Sequence, residues 1–266
     1  LSDSDFYIDT LLGSGADGKV YRIADKKTGR KMALKVISPS TAKGYGQNLE
    51  REVKNYKFLI GGILPRPIAV VSTRNDDGSN NLAPFSFFTG VSANPMIIAF
   101  CPLIRSSDGQ KKDTVLNIER EKEFVINICS YEICEKVNLA SAEFIRNEDE
   151  FIQSGLTPIA SEIINVSRVK ESPVHFECKL RDILSYGEHK GAGTLITGEV
   201  VKVHVDDKAY DNGRIITQET APVGRGAGND WFKTDQPFEM KRMMKSALLL
   251  QVLCRHHYKN LLVWVM

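Results

Sequence analysis

The fold is decided between residues 64 and 118, which contain LPRPIAVVST (64–73), NDDG (75–78), NLAPFSFF (81–88), VSANP (91–95), MIIAF (96–100) and KKDTVLNI (111–118). The apolar, β-branched residues from 67 to 73 predict a strand, and the turn after it ends with Gly78, which tolerates positive φ. A second strand is predicted over 81–88. A third, over 96–100, is apolar throughout, so we expect it to be buried on both faces.

Outside this stretch the sequence continues with further strands and few helices. Asp113 is a good N-cap residue, which predicts a helix over Thr114–Arg120. Gly198 is predicted to mark a bulge or a bend in a long strand. Further strands are predicted over Glu123–Cys129, Val174–Ser185 and Thr194–Val205, and further helices over Leu49–Leu59 and Tyr131–Phe144. Many short strands with few helices indicate a mainly β protein built around a β-barrel.

The composition limits the class of protein. The 266 residues leave room for one large domain or two small ones, and 42% hydrophobic with 26% charged residues are ordinary values for a soluble globular protein. A net charge of +2 gives no general attraction to nucleic acid or to a membrane surface. The 5 cysteines have no metal-ligand spacing, so we expect reduced thiols, a cytoplasmic location and no metal site. Because the chain begins at Leu1 rather than Met, we expect a fragment or an imperfect gene boundary.

Four ordered pieces of the sequence carry a resemblance: Pro65-Arg66-Pro67-Ile68, Asn81-Leu82-Ala83-Pro84-Phe85-Ser86, Val91-Ser92-Ala93-Asn94-Pro95 and Lys112-Asp113-Thr114. In this order they resemble the flavin reductase-like family, whose fold is the FMN-binding split β-barrel. The resemblance extends from about Arg51 to Arg242, so we expect a barrel domain over 51–242 and an extra tail over 243–266. It implies an oxidoreductase in which NADH or NADPH gives hydride to bound FMN, with the chemistry on the flavin rather than on a catalytic side chain.

The resemblance also implies a homodimer, because members of the family form their flavin sites close to a subunit interface. The apolar strand Met96–Phe100, taken as an outer strand of the barrel, would need cover from such a partner. Neither nucleic acid nor a membrane is expected as a partner, since the apolar runs in the tail stay well short of the ~20 residues of a membrane span.

The start of the predicted helix offers a place for the FMN phosphate. Backbone N–H groups at a helix N-terminus, together with a nearby cation, attract a phosphate. The resemblance places phosphate contacts at this turn and implies that Lys112 and Thr114 make them. Capping rules alone favour the alternative of an ordinary capped surface helix.

The flat flavin ring needs an apolar face, with donors and acceptors at its polar rim. The resemblance assigns these residues to the ring pocket: Asn81, Ser86, Phe87, Ser92, Asn94 and Trp231. Phe85 is expected in the core, because consecutive strand residues point to opposite faces. Two alternatives stay open, namely that Phe87 is also a core residue and that Trp231, which follows a glycine-rich loop at 224–228, is an ordinary surface aromatic.

Residues 1–50 precede the resemblance and carry the glycine pattern GSGADG at 13–18. A dinucleotide-binding site would require a helix after the third glycine, but residues 19–24 alternate like a strand. This segment resembles the first three strands of a protein kinase small lobe. Its predicted order is a strand, a glycine loop, a strand, a turn and a strand with an embedded lysine. The resemblance implies a nucleotide site made by Gly13, Gly15, Gly18, Val20 and Lys35.

The kinase-like interpretation lacks the rest of a kinase. The sequence contains neither a His-Arg-Asp catalytic loop nor an Asp-Phe-Gly motif, so phosphoryl transfer is not expected. A β-hairpin extension without a ligand, or an artefactual fusion, is preferred to real ATP binding. Two rivals to the flavin reductase therefore stay open, an FMN-holding electron carrier without reductase activity and an ATP-binding pseudokinase-like module.

Overall fold

The computed structural model describes residues 6–15, 18–29, 31–36, 53–146 and 148–240. The chain divides into two compact units, Leu1–Asp235 and Gln236–Met266, and residues 236–240 of the second unit form neither helix nor strand. The predicted tail over 243–266 lies outside the described residues. Within the described ranges, no helix is both long enough and apolar enough to cross a membrane.

Residues 6–36 contain a small antiparallel sheet of three strands: β1 (Phe6–Gly15), β2 (Gly18–Asp25) and β3 (Lys31–Val36). Because β2 begins at Gly18, the strand predicted after the glycine pattern is confirmed, and the helix of a dinucleotide-binding fingerprint is excluded. The side chains that a kinase-like nucleotide site would need, Val20 and Lys35, lie outside the described residues. That site therefore stays a prediction.

The remaining strands are β4 (Arg66–Pro67), β5 (Ala69–Arg74), β6 (Asn80–Phe85), β7 (Phe88–Ala93), β8 (Met96–Phe100), β9 (Glu123–Ile128), β10 (Pro158–Ile159), β11 (Arg168–Val169), β12 (Val174–Ser185), β13 (Thr194–Val205), β14 (Tyr210–Asp211), β15 (Arg214–Ile215), β16 (Val223–Arg225) and β17 (Trp231–Lys233). Seven of them form one antiparallel sheet in the order β6-β5-β9-β12-β13-β8-β7, and the short strands pair as β10-β11, β14-β15 and β17-β16-β4. The mainly β architecture predicted from the sequence is confirmed.

The observed strand bounds correct two predictions. β8, β12 and β13 have the predicted bounds, but the strand predicted over 81–88 is wrong, because the chain bends at Ser86 and Phe87 between β6 and β7. β8 was expected to be an outer strand, yet it lies between β13 and β7. Apart from Met96, which is 44% exposed, its side chains are buried by these neighbours. Cover for β8 is therefore no argument for a dimer.

The core of the large sheet contains a chain of three phenylalanine rings. The centroids of Phe85 and Phe100 are 5.3 Å apart, and those of Phe100 and Phe124 are 5.5 Å apart. A Cβ at Gly198 would lie 2.3 Å from Cζ of Phe124, so only glycine fits there. The register of β12 against β13 shifts opposite Gly198, but the extra residue, Arg181, lies on β12, so the predicted bulge is found on the neighbouring strand rather than at Gly198 itself.

The helices are α1 (53–62), α2 (Asp113–Glu121), α3 (Cys134–Leu139), α4 (Glu150–Ser154) and α5 (Thr217–Thr220). The prediction that Asp113 caps α2 is wrong, because Lys112 occupies the N-cap position and makes no side-chain cap hydrogen bond. The helix predicted over Tyr131–Phe144 is too long: a 3-10 turn over Tyr131–Ile133 leads into α3, which ends at Leu139. The glycine-rich loop predicted at 224–228 begins as strand β16.

Candidate functional site

An open cleft of about 240 Å³ lies between the end of β6, the start of α2 and the segment after α3. Its walls include five of the residues predicted to bind FMN: Asn81, Ser86, Phe87, Lys112 and Thr114. The other residues lining the cleft are Tyr56, Ala83, Pro84, Phe85, Cys101, Leu103, Arg105, Asp113, Ala140, Ser141, Ala142, Glu143, Phe144 and Glu150. The cleft combines aromatic and apolar walls with charged groups of both signs.

One end of the cleft is formed by the start of α2. The carbonyl of Lys112 accepts hydrogen bonds from Val115 N and Leu116 N, and the described residues offer no acceptor to the N–H groups of Asp113 and Thr114. Lys112 has no carboxylate partner within the described ranges, so its ammonium remains an uncompensated charge on the cleft wall. Free N–H groups, the positive end of a helix dipole and a free cation together make an anion-binding site.

The side chain of Asp113 does not compete for these N–H groups. Its carboxylate pairs with Arg105 (Nη1 to Oδ2, 3.4 Å) and with Arg146 (Nη1 to Oδ1, 3.3 Å). Arg105 also pairs with Asp108 at 3.1 Å. Lys111, the neighbour of the free lysine, is paired with Glu119 and does not line the cleft. The negative charge at the helix start is thus compensated inside the protein.

A buried network of amides and hydroxyls fixes the position of Thr114. Asn81 Nδ2 donates to Thr114 Oγ1 at 3.1 Å and to Thr73 Oγ1 at 3.0 Å, and Asn117 Nδ2 donates to the same Thr73 oxygen at 3.0 Å. Thr114 is 1% exposed, and because its Oγ1 is an acceptor in this contact, the contact does not use its own proton. Asn81 therefore lies at the helix end of the cleft and holds the threonine that was predicted to contact the phosphate.

A carboxyl group lies close to the same end. Glu150, the first residue of α4, accepts a hydrogen bond from Leu82 N at 3.0 Å. Burial raises the pKa of Glu150 to about 7, and the backbone N–H groups of Leu82 and of Glu150 itself only partly offset this effect. The nearby carboxylates of Asp149 and Asp113 push the pKa in the same direction as burial. The protonation state of this end of the cleft therefore changes near neutral pH.

The opposite end of the cleft is formed where β6 ends and the chain bends. Ser86 and Phe87 lie there, and five residues of extended chain separate Ser86 from Asn81, or roughly 16 Å at 3.3 Å per residue. Phe85 is 8% exposed and belongs to the core, as predicted, whereas Phe87 is half-buried on the cleft wall. The thiol of Cys101 lies nearby, and burial raises its pKa. The cleft therefore combines a site suited to an anion at one end with an apolar wall at the other.

Trp231 lines a second recess that adjoins the first. The two recesses share Pro84, Phe85, Ser86 and Ser141. The guanidinium of Arg225 lies over the indole ring, 5.1 Å from its centroid. Trp231 is therefore a half-buried wall on the far side of Ser86, and not an isolated surface aromatic.

Ser92 and Asn94, which the resemblance assigned to the ring pocket, are not part of either recess. They lie at the tip of the β7–β8 hairpin, where Ala93 pairs with Met96, while Phe88 pairs with Phe100 at the other end of the hairpin, next to the cleft. Both side chains are exposed. Within one chain the structure does not bring them together with the other predicted residues.

Sequence reasoning missed several residues of the cleft. Arg105 and Glu150 lie in irregular or weakly patterned segments, where no periodicity indicates which way a side chain points. Arg66 was quoted only as part of the family resemblance, although a lone arginine between two prolines in an apolar strand is an unusual cation. Its guanidinium is buried behind Ser86, with Nε donating to Ser86 Oγ at 3.2 Å.

Comparison with known proteins agrees with this architecture. The family described as "Flavin reductase like domain" matches residues 61–220. The chain is 37% identical over 191 residues to the uncharacterized protein YwrF of Bacillus subtilis (strain 168), a match that covers 70% of this chain and 92% of the relative.

Two solved structures extend the comparison. Nitrilotriacetate monooxygenase component B from Bacillus cereus is 36% identical, with a TM-score of 0.69 over 79% of this chain and 100% of that one. A flavin reductase with a split barrel domain from Shewanella frigidimarina NCIMB 400 shares the fold at 24% identity, with a TM-score of 0.63 over 72% of this chain and 93% of that one. These similarities confirm the predicted split-barrel fold, and the family match over residues 61–220 shows that the chain belongs to the flavin reductase-like domain family.

Proposed function

We propose that the protein is an oxidoreductase that binds FMN non-covalently in the cleft and transfers hydride from NADH or NADPH to it. The observation that carries this proposal is that an anion site at the start of α2 and an apolar site at the end of β6 line the same cleft. Asn81, which contacts the anion site, and Ser86, at the apolar site, are five residues or roughly 16 Å apart along the strand. Family membership supports the same cofactor class. FMN has a phosphate at one end and an aromatic ring at the other, so both ends of the cleft fit it.

The phosphate end of the cleft is built from three kinds of group. The N–H groups of Asp113 and Thr114 supply oriented donors, the hydroxyl of Thr114 supplies another, and Lys112 supplies the positive charge. Because Arg105 and Arg146 already compensate Asp113, a bound phosphate would not face an unpaired carboxylate on the helix. Asn81 keeps the threonine hydroxyl in place.

The ring end supplies orientation. When bound, FMN provides the hydride-accepting ring, and Ser86 and Phe87 give that ring one polar and one apolar neighbour. Trp231 stands beyond Ser86 and limits how far the ring can extend. Because the cleft is open to solvent on its other side, a nicotinamide ring has room to approach the flavin.

The phosphate assignment is tested by comparing FMN with riboflavin, which lacks the phosphate. Lys112→Ala and Thr114→Ala should each weaken FMN binding by about tenfold or more, with little effect on riboflavin, since charge-assisted hydrogen bonds are worth about 1.5–3 kcal/mol. Lys111→Ala is the matched control, because that lysine is paired with Glu119 outside the cleft. Equal losses for both ligands would contradict the assignment.

The reductase activity has a separate test, because an electron carrier could hold FMN in the same cleft. Purified protein loaded with FMN is mixed anaerobically with NADH or NADPH, and the flavin absorbance is followed. Bleaching at a rate that saturates with the nicotinamide concentration supports the reductase. Stable yellow protein that bleaches only with dithionite favours the electron carrier.

We also propose that the protein is a homodimer, as members of the family are expected to be. β7 is an edge strand of the large sheet, and its Val91 is 59% exposed, so this edge is open to a second chain. Light scattering of the FMN-loaded protein tests the proposal. A monomer with full flavin occupancy would contradict it.

A further inference from the structure

A buried guanidinium lies directly behind the ring end of the cleft. Arg66 is 4% exposed, and its Nε donates to Ser86 Oγ at 3.2 Å. Its Nη1 donates to the carbonyls of Ile60 and Ile63, and its Nη2 donates to the carbonyl of Gly226 at 2.7 Å. One side chain therefore connects α1, the end of β6 and the loop between β16 and β17.

All of these acceptors are neutral. The described residues contain no carboxylate within ion-pair distance of Arg66, although a buried arginine is usually paired with one. Arg225, on the other side of Ser86, likewise donates to carbonyls, those of Asp230 and Gly228, and has no carboxylate partner in the described part of the chain. Two cations without counter-ions among the described residues thus flank the ring end of the cleft, and the charge of the buried one, Arg66, is the less screened by solvent.

The hydrogen bond to Ser86 connects the buried guanidinium of Arg66 to a residue that lines the cleft. Because Ser86 Oγ accepts from Arg66, its own proton is free to point toward a ligand. Ser86 lines both recesses, so it is the polar group closest to the arginine that a bound ring can contact. The Gly226 carbonyl belongs to the loop that leads to Trp231, so the same arginine also holds that wall.

Reduction changes the charge of the ring. Hydride carries two electrons and one proton from the nicotinamide to oxidised FMN, so the ring gains one negative charge and the nicotinamide becomes a cation. We propose that Arg66 is a positioning residue that holds Ser86 against the flavin ring and, through its uncompensated charge, favours the reduced, negatively charged form of bound FMN, an inference that rests on the proposed function. Protein charge near the flavin ring is one of the means by which a fold tunes the cofactor.

The test compares Arg66→Met, Arg66→Lys and Lys233→Met in the full chain. The dissociation constant of oxidised FMN and the two-electron midpoint potential of the bound cofactor are measured, and together they give the dissociation constant of reduced FMN. Arg66→Met should weaken reduced FMN about tenfold more than oxidised FMN, which corresponds to about 30 mV for a two-electron couple. Arg66→Lys should keep most of the difference, and Lys233→Met, which removes a cation outside both recesses, should leave it unchanged.

Equal weakening of both redox forms by Arg66→Met would show a merely structural role and overturn the inference. If that variant does not fold, Ser86→Ala and Ser86→Thr decide, because threonine keeps the hydroxyl that accepts from Arg66. A lower potential in Ser86→Ala but not in Ser86→Thr supports the inference, and unchanged potentials in both overturn it. A wild-type protein that binds no FMN would instead overturn the proposed function, so the two failures are distinguishable.

Discussion

The protein shifts the pKa values of two buried glutamates, one in the sheet and one in the cleft, in opposite directions. Glu177 on β12 is fully buried and accepts hydrogen bonds from Glu162 N and Ile163 N, each at 2.8 Å, and from His204 Nε2 at 2.6 Å. Burial raises its pKa, but these donors outweigh burial, so the pKa lies below its usual range. Glu150 accepts a hydrogen bond from Leu82 N, but burial outweighs its backbone donors and raises its pKa to about 7.

The difference between the two glutamates shows which charged groups the protein stabilises without a bound ligand. At Glu177 the protein supplies enough donors to keep a carboxylate ionised without a ligand. In the cleft it leaves charged groups incompletely compensated: Lys112 and Arg66 have no carboxylate among the described residues, and Glu150 has too few donors. The free energies of such incompletely compensated charged groups change most when a charged ligand binds.

The largest expected effect comes from removing the carboxylate of Glu177. Glu177→Ala should lower the free energy of unfolding by about 3–5 kcal/mol, because these three donors and a fourth, Ile164 N at 3.3 Å, lose their acceptor in a buried place. Chemical denaturation measures this. Glu199→Gln is the control, since Glu199 makes an exposed pair with Arg181 at 3.3 Å and should change stability by about 0.5 kcal/mol or less. Similar losses for the two variants would contradict the contrast between the glutamates.

A smaller effect is expected at Glu150, and it depends on pH. Because the folded-state pKa lies above the ordinary value of 4.5, the unfolded chain loses this proton first, and stability falls as pH rises from about 4.5 through about 7. Glu150→Gln should therefore raise the melting temperature relative to wild type at pH 8 but not at pH 4. The affinity of Glu150→Gln for FMN should also exceed that of the wild type at pH 8, because no carboxylate then faces the phosphate end of the cleft.

Glu143→Gln is the matched control for this pH dependence, since Glu143 lies on the same cleft but is exposed. Its melting temperature should follow that of the wild type at both pH values. If Glu150→Gln gave the same shift at pH 4 and pH 8, ionisation of Glu150 could not be the cause.

The smallest expected effect comes from removing residues 1–50. Among the described residues, neither glutamate site includes any of them and the lining of the cleft begins at Tyr56. FMN content and NAD(P)H oxidation should therefore be retained in a chain that starts near residue 51. The full chain should show no ATP-dependent change in melting temperature. Loss of FMN on truncation, or ATP stabilisation that Lys35→Met abolishes, would show that the segment is a working nucleotide site.

Strands could be predicted wherever the spacing of apolar residues along the chain reflects which faces of the strand are buried. The strands over Met96–Phe100, Val174–Ser185 and Thr194–Val205 were found because apolar runs and alternation depend on which faces are buried. The cap of α2 was missed because the propensity of Asp113 to cap was outweighed by two arginines distant in sequence from each other. Capping rules contain no term for such tertiary pairing.

The site was predictable only where sequence neighbours remain spatial neighbours. Lys112 and Thr114 adjoin one helix start, and Ser86 and Phe87 adjoin one bend, so each pair stays together in the fold. Ser92 and Asn94 follow within a few residues, but the hairpin of β7 and β8 carries them to its far tip. Arg66 could not be placed behind Ser86 from sequence, because that contact joins β4 to the bend after β6, 20 residues further along the chain.

The hydrogen bond from Arg66 to Ile60 ties α1 to residues that the family match includes. The family match starts at residue 61, one residue after the carbonyl of Ile60 that the arginine uses. A protein expressed from residue 61 would carry every matched residue, yet it would lose one acceptor of a buried cation and the Tyr56 wall of the cleft. The boundary drawn by shared sequence therefore falls one residue after this acceptor and five residues after Tyr56, or about 1.4 turns of helix at 3.6 residues per turn.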